Sequence, residues 1–494
     1  MFSIFVLIVA ILIQTSDFTY GASVFSTQTV RNSNDGCDLI LPSNLNLAPI
    51  VTDQATRQEL IPSLEKTDGL WHLRIERDSK IKANCGRGNK LKNHESYYYY
   101  LLTCVGGTEF QDDDEEPVIL AEAIECTNPL QPRPRVYRNG TCFENATNIE
   151  VEFITESSPR KYYSMCMDES TSGALYTTSY IDGEGIASGL VESTGNRPDF
   201  RGQEFYPFAI KQSYKWENAF EHLSDLLGSE DLVNEYFPTQ QFRFSRGHLF
   251  PNGDALKRFE RHSTFYYMNT VPQWQNLNGG NWQIAEHDVR VLAEKLRRTL
   301  KVTTGAFGVT TLKDANNNDA EIWLARDSTG KLRLPVPRFV WKVVHDPVAD
   351  SAVAIVQVNN AWVQTNRDIL CTDLCNNLAW IRSSGFDTVR KGFTYCCDVA
   401  ELRKSIPYIP AIKYSGILGA GFVDSPADNE SDSGFSENDN SNYDDDSASQ
   451  NDDESDNESS SSSDDEADEG YSSIWNNPRV NSSSIFTRYT VANS

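Results

Sequence analysis

Ten cysteines constrain this chain more than any other feature, because they fall into two groups of even size. Cys37, Cys85, Cys104, Cys126, Cys142 and Cys166 occupy the first third, while Cys371, Cys375, Cys396 and Cys397 lie together after a long cysteine-free stretch. Even groups of this kind predict two separately stapled units, with the pairing inside each left open. Disulfides need an oxidising route, and the N-terminus supplies one. Met1 to Ile13 is almost uninterruptedly apolar, polarity begins at Gln14, and Gly21, Ala22 and Ser23 are small enough for cleavage. Residues 1–22 therefore read as a secretory signal peptide, and the mature chain as secreted and extracellular. A four-cysteine zinc site is the alternative for the later group, and export disfavours it. Sequons at Asn139, Asn145, Asn429, Asn457 and Asn481 agree with a secreted glycoprotein. No other segment approaches the roughly 18 apolar residues of a membrane-spanning helix.

The length allows two ordinary domains plus tails. Residues 24–160 alternate short apolar runs with turn clusters (W-H-L-R-I, Y-Y-Y-Y-L-L-T-C-V, I-E-V-E-F-I), the pattern of a small all-β module. Tyr97 to Tyr100 read as a strand with aromatic residues on both faces in preference to a base-stacking surface. Residues 170–415 mix strands at Ala174–Ile181, Glu204–Phe208, Val302–Leu312, Glu321–Leu324, Phe339–Val344 and Val353–Val358 with an amphipathic helix over Ala219–Phe237. The fold class is thus α+β. Residues 424–470 are a disordered acidic tail, since Asp and Glu mixed with Ser and Asn bury too little apolar surface to offset their ordering entropy. The net charge is −26, and 19 acidic residues in 424–469 account for most of it, leaving −7 for the rest. The body of the protein is therefore only mildly acidic and not excluded from binding a polyanion. The tail reads as a solubilising segment, with a cleft-covering nucleic-acid mimic or weak calcium binding as the sharper options. Residues 471–494 form a short C-terminal extension.

Chemistry concentrates in 242–286. Phe242, Arg243, Phe244 and Ser245 alternate as in a half-buried strand that leads to Arg246, Gly247 and His248. A second strand-like run, S-T-F-Y-Y-M-N-T, covers 263–270, and L-N-G-G-N-W at 277–282 opens a helix from Gln283 to about Arg298. Strand, strand, loop and helix, with a His leaving the first strand and an Asn opening the helix, is the layout of a metal-dependent phosphodiesterase site. Such hydrolysis needs a base for water, a divalent cation, and positive groups facing the developing charge. Neutral imidazole suits the first role. Magnesium takes oxygen ligands and keeps several waters, so one Asn carbonyl can hold it. The helix start adds its own positive end.

These residues resemble the signature of the DNA/RNA non-specific endonucleases, the ββα-metal family, and within it the secreted arthropod-type members. Ser245-Arg246-Gly247-His248 is similar to the family's D-R-G-H, Asn269-Thr270-Val271-Pro272-Gln273 to N-x-x-P-Q, and Leu277 to Trp282 followed by Glu286 to L-N-x-G-x-W and its Glu. The resemblance implies His248 as general base and Asn278 as the magnesium ligand, with manganese as a substitute. It implies Glu286 ordering the metal's water, Arg246 on phosphate, Asn269 supporting the site, and Arg197, in Asn196-Arg197-Pro198-Asp199-Phe200, as a second phosphate contact. Ser245 replaces the bacterial Asp, and Phe250 and Asn252-Gly253 replace small residues after the His. The implied fold is a ββα-metal nuclease domain, a mixed sheet with flanking helices. The implied activity is a magnesium-dependent, sequence-indifferent endonuclease on DNA, RNA or both, leaving 5′-phosphates. Nucleic acid is then the substrate partner and a membrane is not involved. The alternatives are a catalytically inert nucleic-acid-binding protein on the same fold, and a mineral- or matrix-interaction protein driven by the tail. Among the other histidines, only His287, beside Glu286, has a candidate supporting role. Arg290, Lys295, Arg297 and Arg298 read equally as a phosphate-tracking or a solvated helix face.

Overall fold

The computed structural model describes residues 36–419 except 57–59, 61–62, 65–69, 87–88, 93–97, 113–115, 121, 131–133, 156–157, 194 and 363–365. The expected signal peptide, the acidic tail, the C-terminal extension, Tyr97 and the sequons at Asn429, Asn457 and Asn481 lie outside the described residues.

Strand Ser351–Val358, S-A-V-A-I-V-Q-V, is buried along its whole length, as an almost continuous apolar run requires when both faces of a sheet are covered. It lies in a nine-stranded sheet. In spatial order the strands are Thr394–Cys397, Ser351–Val358, Phe339–Asp346, Thr299–Phe307, Gly173–Asp182, Ser158–Asp168, Ala146–Thr155 and Pro134–Phe143. The short strand Gly416–Ile417 joins Ser351–Val358 in parallel, and the other neighbours are antiparallel. The sheet thus begins at Pro134, and the boundary read near 160–170 falls inside it. Alternation identified I-E-V-E-F-I as a strand but not the sheet it joins. Ile149, Val151, Tyr163 and Met165 pack into the same core as Phe250 and Tyr267.

Ahead of this sheet, Cys37–Leu41, Trp71–Ile75 and Ser63–Leu64 form a three-stranded sheet. Ile50–Asp53, Lys80–Asn84, Tyr99–Gly106, Glu109–Asp112 and Pro117–Ile119 form a five-stranded one. They enclose a separate core, into which Leu190 also inserts. Tyr100 is buried in it, whereas Tyr99 is half-buried beneath the Lys82 ammonium, so the tyrosines do occupy both faces of a strand. All ten cysteines are paired, as Cys37–Cys104, Cys85–Cys126, Cys142–Cys166, Cys371–Cys397 and Cys375–Cys396. Each even group pairs within itself, and no thiolate remains for zinc. No helix among the described residues is long and apolar enough to cross a membrane.

Several local readings change, among them Val302–Leu312, which is two strands, Thr299–Phe307 and Thr311–Lys313. The helix read over Ala219–Phe237 is two helices, Trp216–Leu227 and Glu230–Tyr236. Gly228 ends the first in the left-handed region at φ 68°, and the Ser229 hydroxyl caps the second. Glu204–Phe208 contains a 3-10 turn over Gln203–Phe205 instead of a strand. The run 263–270 is not a strand until Thr270. The buried hydroxyls of Ser263 and Thr264 donate back to the carbonyls of Glu260 and Arg261 at 2.6 and 2.8 Å, which holds a turn, and Tyr267–Asn269 is 3-10 helical.

Candidate active site

Strand Phe244–His248 pairs antiparallel with Thr270–Trp274 as a two-stranded sheet, placing Arg246 opposite Pro272 and His248 opposite Thr270. A π-turn over Asn278–Trp282 then runs into helix Gln283–Leu296. This is the ββα order the sequence predicts. Gly247 lets the strands approach closely, since a Cβ there would lie 2.3 Å from Gln273 Oε1 and displace that amide. The pair is fixed to the large sheet through amides. Gln273 Nε2 donates to Gln357 Oε1 at 2.7 Å, and Gln357 Nε2 donates to the Leu277 carbonyl at 3.3 Å. One side chain thereby ties the His248 sheet to the residue preceding Asn278. Asn359 extends the seam, donating to the Pro272 carbonyl at 3.1 Å, where proline has no N–H of its own to offer.

His248 is buried, its ring 5.4 Å from Phe200 and 5.1 Å from Phe265. The two flanking arginines use the same rings. Arg197 is exposed and lies 5.9 Å from Phe200 and 5.4 Å from Phe265, while half-buried Arg246 lies 4.7 Å over Phe200. His248, Arg246 and Arg197 are therefore gathered around one ring pair, although Arg197 is some fifty residues upstream. Arg246 also hydrogen-bonds the Tyr267 hydroxyl. Burial pushes that phenol up, and the guanidinium opposes the shift.

Asn269 is fully buried and holds the backbone that carries His248. Its Oδ1 accepts from the Phe250 N–H at 3.0 Å, and its Nδ2 donates to the carbonyls of Phe250 and Thr264, both at 2.9 Å. Phe250 faces the core against Tyr162 and Tyr163, so it does not narrow the cleft. Ser245 is half-buried and donates to the Gln273 carbonyl at 3.0 Å, a bond within the strand pair.

Asn278 and Glu286 are both half-buried, at the π-turn and in the first turn of the helix. Segment 385–392 walls this turn. Asn281 Nδ2 donates to the carbonyls of Gly385 and Gly392 at 2.9 and 2.7 Å, and Asn276 Nδ2 donates to that of Arg390 at 2.6 Å. A Cβ on Gly280 would stand 2.5 Å from the Lys391 carbonyl oxygen, which is why L-N-G-G-N-W needs glycine there.

Two charged groups escaped the sequence reading. Arg290, weighed there only as a helix-surface cation, turns inward to the buried carboxylate of Asp254 at 2.9 Å. Lys342, in the middle of Phe339–Asp346, is buried with its ammonium 2.8 Å from Thr304 Oγ1 and 5.6 Å from the Trp282 ring. Burial holds its pKa down, and the carboxylates of Glu286 and Asp254 resist that shift. A lysine in an apolar strand has no periodic signature, so only the fold reveals it. Conversely, Arg297 and Arg298 are tied to Glu184 and Asp346, and His287 meets Arg382 at 3.1 Å.

The family model described as DNA/RNA non-specific endonuclease matches residues 144–402. A salivary endonuclease of Lutzomyia longipalpis is 32% identical over 245 residues, 49% of this chain and 56% of the relative. Salivary protein Tsal1 of Glossina morsitans morsitans is 24% identical over 252 residues, 50% of this chain and 60% of the relative. A salivary endonuclease of Culex quinquefasciatus is 31% identical over 182 residues, 34% of this chain and 46% of the relative. The chain thus spans about half the length of the curated relatives it matches. A solved EndoG/EndoGI complex aligns with a TM-score of 0.29 at 18% identity, over 40% of this chain and 72% of that one. With its family model spanning the strand pair, the π-turn and the helix, the chain belongs to the DNA/RNA non-specific endonuclease family.

Proposed function

We propose that this protein is a secreted, metal-dependent endonuclease that hydrolyses DNA or RNA phosphodiesters with little sequence preference. The observation that carries the reading is the convergence of His248, Arg246 and Arg197 on the Phe200–Phe265 pair, on a strand pair that Gln357 ties to the turn bearing Asn278. His248 takes the proton of the attacking water, and Asn269 keeps its strand end in register. Arg246 and Arg197, gathered at these rings, supply guanidinium N–H donors for phosphate oxygens.

The residues at the turn suit a hard cation. Among the described residues, the one cluster of three conventional ligand groups is Asp373, Cys375 and Cys396, and the Cys375–Cys396 disulfide removes it as a metal site. Asn278 offers an amide oxygen and Glu286 a carboxylate to order water, a donor set suited to magnesium, with manganese as a substitute. When bound, the cation would neutralise charge on the phosphoryl oxygens. Ten paired cysteines and the salivary names of the relatives support secretion.

The test is cleavage of duplex DNA and duplex RNA by the purified chain, with magnesium or EDTA, beside His248→Ala. Magnesium-dependent cutting that falls roughly 10²- to 10⁴-fold in the variant is expected for a lost general base. A folded wild type that binds nucleic acid and never cuts would replace this reading with the inert binding protein.

A further inference from the structure

Beyond the cleft, the turn that carries Asn278 is bonded to an exposed arginine that the reaction does not require. Arg390 is held by its own backbone, whose carbonyl accepts from Asn276 Nδ2 at 2.6 Å, two residues before Asn278. Its guanidinium lies 4.8 Å over the Trp362 ring and 5.6 Å over Phe242, and those rings are 5.2 Å apart. The platform is rigid, since Trp362 Nε1 donates to the Tyr236 carbonyl at 3.1 Å and its backbone N–H donates to Asn360 Oδ1 at 2.9 Å. Arg390 has no carboxylate partner among the described residues. Next to Phe242, Arg243 repeats the arrangement, its guanidinium 4.2 Å over Trp216 and its Nε buried without a hydrogen-bond partner.

An arginine whose face rests on rings keeps its in-plane donors directed away from them, the geometry that receives a phosphate. Joined to the turn that carries Asn278 through its backbone, this exposed cation has no acid to neutralise it among the described residues. We infer that Arg390, supported by Trp362 and Phe242, is a phosphate subsite for the polynucleotide backbone flanking the scissile bond, with Arg243 as its neighbour along the same rim. The inference rests on the nuclease reading for its ligand, a polynucleotide longer than the cleft, but binding alone tests it.

The experiment measures fluorescence anisotropy of a labelled 30-base-pair DNA duplex against the full chain in EDTA, across a salt series. Wild type, Arg390→Ala, Arg390→Lys and Trp362→Ala are compared, with thermal unfolding as the check on folding. Arg390→Ala should weaken binding roughly 10-fold at low salt and flatten the slope of log K against log salt by about 0.9, the share of one phosphate contact. Arg390→Lys should recover the slope but not all the affinity, because an ammonium keeps the charge and loses the stacked plane. An Arg390→Ala protein that matches wild type in both affinity and slope overturns the inference, and so does a wild type that does not bind. Wild-type cleavage in magnesium is scored separately. Loss of slope in a protein that never cuts leaves the subsite standing while the hydrolytic reading falls.

Discussion

Lys342 shows how one buried charged residue can cost stability. A lysine buried beside Trp282 and Thr304 pays desolvation, and burial holds its pKa below the ordinary 10.5. The unfolded chain therefore keeps this proton through a pH range in which the folded chain has released it. Linkage then makes stability rise with pH across that range, from the lowered folded value up to about 10.5. Below the folded value both states carry the proton and the full penalty remains. Urea unfolding of wild type and Lys342→Met from pH 7 to 10 should show wild type gaining on the variant as pH rises. Parallel curves would mean that the lysine keeps an ordinary pKa. Asn269 is the opposite case, since its three buried bonds hold the chain that bears His248 and its full burial keeps its amide from touching a substrate.

The π-turn and segment 385–392 act as one unit at the scale of elements. Asn281 bridges the carbonyls of Gly385 and Gly392, and Gly280 passes under the Lys391 carbonyl with no room for a methyl group. Gly280→Ala must push backbone away from backbone, because no flexible side chain is there to yield. The expected cost is about 1–3 kcal/mol, as for other overpacked sites. It falls on the turn that presents Asn278. We expect a raised magnesium requirement for half-maximal cleavage in Gly280→Ala with the circular dichroism of the wild type. An unchanged metal titration would show that the turn tolerates the shift and that segment 385–392 is not needed to position Asn278.

Across the whole molecule, the late disulfides explain why a long irregular segment can serve as a wall. Cys375–Cys396 closes a loop with a sequence separation of 21 and Cys371–Cys397 one of 26, and 385–392 lies within both. Two cross-links across one segment restrict its unfolded conformations, each contributing on the order of 3 kcal/mol by chain-entropy reasoning. The double variant Cys375→Ser with Cys396→Ser should unfold at lower temperature and lose cleavage before it loses global structure. Coincident loss of both would argue that the segment and the main sheet form a single cooperative unit.

The sequence alone was enough to display the family motifs and the strand–strand–helix order that carries them. Arg246, His248, Asn269, Asn278 and Glu286 lie within about forty residues of one another, and a strand–strand–helix unit imposes local spacing that a chain displays directly. The even cysteine groups were legible for a similar reason, since pairing within a unit needs no partner elsewhere. Tertiary structure decided which cysteines meet, that Ala146–Thr155 and Ser158–Asp168 join the large sheet, and that Phe250 turns inward. It alone brought Arg197 to the rings around His248, Lys342 into the electrostatic reach of Glu286, and Arg390 to the turn of Asn278. Periodicity records which face of an element is buried. It carries no information about which distant face will cover it, because that choice is made by packing among residues far apart in the chain.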